Sequence, residues 1–272
     1  MNDKKLSVTR HSCQLSLNAP TATMQTVRHN LNSRNMKNKI LVLISILITV
    51  SSCSKDDDNA GLPESELSMH EINVIDYFKN VALGFEFGDA SRITRKWNSE
   101  LRIFVGGEPT DELRDELEKI KTEINELVTD GFTMTIVNDS SQSNYFIFFG
   151  TGTDYAQLYS SQVDLVTSNF GLFSVFWNNQ NQLTSGHMYV DIARTNLTEQ
   201  KHLLREELTQ SLGLARDSQK YSESIFQSAW TTTMEYALID RDLIRLLYHP
   251  DMSIGLNETQ VEVVLKEILS SE

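Results

Sequence analysis

An apolar run of eleven residues, Ile40 to Val50, broken only by Ser45 and Thr49 and introduced by Lys37 and Lys39, decides which part of this chain can fold. A basic stub followed by a short apolar segment reads as the n-region and h-region of a signal peptide, and it is shorter than the roughly 18 residues of a membrane-spanning helix. Everything before its end is expected to be removed. The charge distribution agrees with that division. Residues 1–52 hold seven Lys or Arg and one acid, so of the 24 basic and 37 acidic side chains in the chain, 17 and 36 lie beyond, a net charge of −19. A phosphate backbone would be repelled by such a surface, so nucleic acid is excluded as a partner.

The run ends in Val50-Ser51-Ser52-Cys53. This resembles a bacterial lipobox, in which a branched apolar residue and two small ones precede a Cys whose thiol is diacylated and whose amine becomes the new N-terminus. Cys53 is therefore the expected lipidation site and the membrane the expected partner. Ser54-Lys55-Asp56-Asp57-Asp58 resembles the lysine-and-acid tether that directs some lipoproteins to the outer membrane and its cell-surface leaflet, or it is a solvated spacer. Met36 begins a standard n-region. The expected layout is 1–35 untranslated or outside the fold, 36–52 signal peptide, 53–65 acidic tether and 66–272 one domain. Only Cys13 and Cys53 carry thiols, so the domain has no disulfide, no Cys nucleophile and no Cys metal ligand.

Within the domain the hydrophobic period switches repeatedly. Ser68-Met69-His70-Glu71 is a capping box followed by Ile72, Ile75, Phe78, Val81, Ala82 and Phe85 at helical spacing. Trp97 to Gly107 alternates as a strand, and Leu113, Leu117, Ile120, Ile124 and Leu127 stripe a helix from Thr110 to Val128. Short strands are expected at 132–137, 145–149, 172–177 and 187–193, and helices at 198–214, 231–247 and 258–269. Strands in one block and helices in another predict an α+β fold, a small mixed sheet packed on helices with a C-terminal helical part.

Chemistry concentrates in His202-Leu203-Leu204-Arg205-Glu206-Glu207-Leu208-Thr209-Gln210-Ser211-Leu212-Gly213-Leu214. At 100° per residue Leu204, Leu208, Ser211 and Leu212 form the buried stripe, with His202, Glu206 and Gln210 in a row on the opposite side and Thr209 also facing away. That row reads either as a solvated face or as a binding site. Glu207 flanks the stripe, where burial favours a general base, or a cation partner satisfies it.

The segment resembles the zinc-binding helix of the metalloproteases, H-E-x-x-H-x-x-G-x-x-H. Glu206 stands at the first His, Glu207 at the catalytic Glu, Gln210 at the second His, Gly213 at the Gly and Arg216 at the third ligand. The resemblance implies a zincin-like fold with Glu207 as the catalytic residue. Its ligands are altered, since a neutral amide is a poor zinc ligand and Arg is none. The expected metal content is accordingly none; zinc, if bound, would use His202, Glu206 or a distant His. Glu206-Glu207-Leu208-Thr209-Gln210-Ser211-Leu212-Gly213-Leu214, with Asp217-Ser218, Ser224-Ile225-Phe226 and Leu246-Leu247-Tyr248-His249-Pro250, further resembles a bacterial domain-of-unknown-function family of lipoproteins. The expected function is binding of a peptide or envelope protein in a groove between this helix and the 187–193 strand. The alternative is a metal-dependent hydrolase with non-standard ligands.

Overall fold

A computed structural model describes residues 67–85 and 90–272; the leader, the tether and Cys53 lie outside them. Ser68 and Glu71 close the expected capping box on α1 (Met69–Val81). The helix stops short of Phe85, because Gly84 adopts a φ of 87° and turns the chain. Strand β1 (Leu101–Gly107) is followed by α2 (Asp111–Leu127), capped by Thr110, and then by β2 (Met134–Val137), β3 (Tyr145–Gly150) and α3 (Gly152–Leu158). The chain continues through β4 (Gly171–Trp177), β5 (Leu183–Asp191), α4 (Leu197–Gln210), α5 (Leu238–Leu247) and α6 (Glu258–Ser271).

The five strands form one sheet in the order β2-β1-β3-β5-β4. The mixed sheet packed on helices is as expected, but three of its four ladders are parallel, and only β4 runs against β5. Parallel neighbours need crossovers, which is why α2 separates β1 from β2. Seven residues with little apolar content give α3 no readable stripe, and the sequence left it out.

The sheet has two covered faces. Ile147, Phe149, Met188 and Val190 point into the main core shared with α1, α2, α4, α5 and α6. Tyr189 and Leu172 point the other way, against Tyr155 of α3 and Val166. Strand β5 was expected to border a groove. It is interior, hydrogen-bonded to β3 on one side and β4 on the other, so the groove cannot lie along it. The strand bordering α4 at the sheet edge is β4.

Candidate functional site

Helix α4 is fixed at its start by a capping box of Asn196 and Glu199, and Gln200 Nε2 donates to the Thr195 carbonyl at 2.7 Å. Its end is clamped by residues far away in sequence. Trp97 Nε1 donates to the Ser211 carbonyl at 3.0 Å and the Tyr248 hydroxyl to that of Leu212 at 2.9 Å. Gly213 then turns the chain at a φ of 117°, where a Cβ would sit 2.0 Å from the Arg95 carbonyl oxygen, so only glycine fits. The helix accordingly ends at Gln210, not at Leu214.

The polar row, read as a solvated face or a binding site, is buried. His202, Arg205, Glu206, Thr209 and Gln210 are as inaccessible as Leu204 and Leu208 on the other side. The cause is the segment from Ser211 to Ala237, which folds back over the helix, and α2, which packs beside it. Residues 231–237 were expected to begin the next helix. They stay extended because Thr231-Thr232-Thr233 are poor helix formers and the Thr233 carbonyl accepts a bond from His202.

That bond sets the chemistry of His202. A carbonyl only accepts, so Nδ1 carries a proton and donates at 2.8 Å. Nε2 faces Glu206 Oε2 at 3.3 Å and the Thr231 hydroxyl at 3.3 Å. Trp230, which the sequence reading missed, stands edge-on to His202 at 6.3 Å and to Phe170 at 6.0 Å. It sits where α4 meets the start of β4; a lone Trp in a polar loop was the available signal.

Glu207 faces the other flank. A Cβ added at Gly171 of β4 would lie 2.9 Å from its Oε1, so the absence of a side chain there lets the carboxylate lie against the edge strand. Gln210 turns away from both acids, its Nε2 donating to Asp217 Oδ1 at 2.6 Å. The structure thus brings His202 to Glu206 and Glu207 to β4, and gives Gln210 a carboxylate partner in place of a metal. Arg205, another residue without an assigned role, is buried with Glu116 at 2.7 Å and Glu123 at 2.5 Å, under the Tyr236 ring. The seven-residue spacing of those two acids on α2 was the readable sign of such a pair.

Among the described residues no distant His completes a site at α4. His187 faces the opposite side of the sheet, where its ring stacks on Tyr159 at 3.5 Å and Nδ1 meets the Tyr155 hydroxyl at 2.5 Å; burial pushes it down to about 4, so it is neutral. His70 pairs with Asp242 at 2.9 Å, and His249 Nδ1 accepts from the Asp251 N–H. Among the described residues no three His, Cys, Asp or Glu side chains are arranged to hold a metal ion.

The motif residues outside α4 form a scaffold behind it. The Tyr77 hydroxyl donates to Ser224, whose hydroxyl donates to Asp240 at 2.5 Å, and the same carboxylate accepts from the Ile225 and Ala237 amides. A family model described as a protein of unknown function, DUF2927, matches residues 72–267, which span this scaffold and the whole of α4. No curated protein matches the chain.

Proposed function

The chain belongs to the DUF2927 family of proteins of unknown function, and on that premise we propose that it is an outer-membrane lipoprotein whose zincin-like domain binds an extended polypeptide along β4 without cleaving it. The observation that carries the reading is the character of that edge. Sheets protect edges with short strands, charges, proline or a covering helix or loop. The other edge strand, β2, has four residues; β4 has seven, Gly-Leu-Phe-Ser-Val-Phe-Trp, with no charge and no proline. Among the described residues no strand pairs with its outer side. Gly171 to Val175 are buried, so a peptide must first displace what covers this edge; strand addition would then give it main-chain bonds along β4 and side-chain contacts with Glu207 and Trp230.

The chemistry of α4 favours binding over hydrolysis. In the metalloprotease arrangement two imidazoles one turn apart hold the metal. Here the corresponding positions are Glu206 and Gln210, and the Gln210 amide is engaged with Asp217. Arg216, a guanidinium, supplies no third ligand.

The hydrolase is the second reading, supported by the juxtaposition of His202 and Glu206. With Nδ1 donating to a carbonyl, His202 turns Nε2, the atom a metal would take, toward Glu206. In that case Glu207 is the base.

Selection of displayed random twelve-residue peptides against the full-length protein tests the choice. An enriched peptide, synthesised and incubated with the protein with and without added zinc, should be recovered intact. Zinc-dependent cleavage lost in Glu207→Gln would overturn the binding reading in favour of the hydrolase.

A further inference from the structure

A groove of about 560 Å³ lies between α1 and α6, on the side of the helical layer away from α4's contact with β4. Leu67, Ile72 and Ile75 line it, together with Lys79 and Lys266, each 2.8 Å from Glu262 between them. A third lysine, Lys220, is 3.7 Å from Asp76, which also lines the groove. Beside this opening Met69 is 72% exposed and Ile72 44%. Scattered apolar residues at a surface are ordinary, but here they adjoin an apolar groove at the first turn of the domain.

The position of this groove in the chain selects its occupant. Leu67, which lines it, is fourteen residues beyond Cys53, so a lipid on Cys53 holds this end of α1 within about 50 Å of the bilayer even if every intervening residue is extended. The domain's charge is −19 beyond residue 52, whereas Lys79, Lys220 and Lys266 outnumber their partners Asp76 and Glu262 around this opening by one. An apolar lining with ammonium groups beside it matches the acyl and phosphate layers of a bilayer surface.

We propose that the α1–α6 groove is the face on which the anchored domain rests on the membrane, Met69 and Ile72 entering the headgroup layer and the more exposed Lys220 and Lys266 exchanging their carboxylate partners for lipid phosphates. This rests on the lipoprotein reading. It directs the opposite sheet face, with α3, away from the bilayer.

Single Cys variants of the full-length lipid-anchored protein test it, because with Cys53 acylated an introduced Cys is the one free thiol. Met69→Cys, Ile72→Cys and, as control, Leu158→Cys on α3, itself 56% exposed, would each carry a nitroxide in vesicles of phosphatidylethanolamine and phosphatidylglycerol. The ratio of oxygen to nickel-chelate collision should be several-fold higher at 69 and 72 than at 158. Equal ratios in a protein that still takes up fatty acid overturn the membrane seat and leave the anchor standing. Absence of fatty-acid labelling overturns both. Shielding of 69 and 72 in detergent that grows with protein concentration assigns the groove to a second copy, and likewise overturns the seat.

Discussion

Thr209 shows how much the buried polar face of α4 depends on single hydroxyls. Its Oγ1 donates to the Arg205 carbonyl, so the Tyr236 hydroxyl, 2.6 Å away, is the donor to Thr209. The helical wheel put Thr209 on a solvated side, where loss of its hydroxyl would be neutral. In place, Thr209→Ala leaves a buried Tyr236 donor without its acceptor and should cost about 1–3 kcal/mol, read as a lower urea midpoint at unchanged slope, with Thr209→Ser close to wild type. Asp240 gives a pH signature. Burial, opposed by its bonds to Ser224 and two amides, pushes it up from 3.8 to about 6. The folded state then holds a proton that the unfolded chain has released, so stability should fall as pH rises from about 4 to about 6. A shift of this size corresponds to roughly 2–3 kcal/mol. Asp240→Asn should flatten that part of the stability profile; an unchanged slope would remove Asp240 as its source.

The existence of α4 was legible at the scale of the element, while its surroundings were not. Periodicity identified Leu204, Leu208 and Leu212 as core, and all three are buried. It could not foresee that residues 211–237 return over the other side, because that return depends on contacts such as His202 with Thr233 and Gln210 with Asp217, which have no period. The end of α4 was not legible: the expected helix runs through Gly213 to Leu214, and the turn at Gly213 depends on the Arg95 carbonyl far away in sequence. Gly213→Ala forces a Cβ onto the Arg95 carbonyl at a positive φ, and should destabilise by about 3 kcal/mol or more or prevent accumulation of soluble protein. The altered metal positions make a further test of this element. Glu206→His combined with Gln210→His restores imidazoles one turn apart, with Asp217 available to orient the second. Zinc affinity measurable by titration calorimetry is expected in the double variant and none in the parent. Stoichiometric zinc in the parent would favour the hydrolase.

Across the whole molecule, the mixture of sheet and helices could be read from the changes of period, but the order of strands could not. Strands 145–149 and 187–193 have the same alternating pattern whether central or at an edge; their pairing as parallel neighbours is settled by Tyr145↔Gly186 through Gly150↔Asp191. That is why the expected groove was drawn beside β5, and why it moves to β4. The Asp191 amide donates to the Phe170 carbonyl at 2.8 Å, and alternation along the antiparallel ladder then turns the backbone groups of Gly171, Phe173 and Val175 away from β5. A peptide adding to the sheet must bond to those groups. Hydrogen exchange of the full-length protein, resolved to single amides, with a selected peptide at saturation therefore tests the central claim most directly. Phe173 and Val175 are buried, so their amides exchange through opening of this edge, and a bound peptide should slow that exchange by about an order of magnitude or more while β2 amides are unchanged. Unaltered exchange along β4 beneath a demonstrably bound peptide would contradict the account.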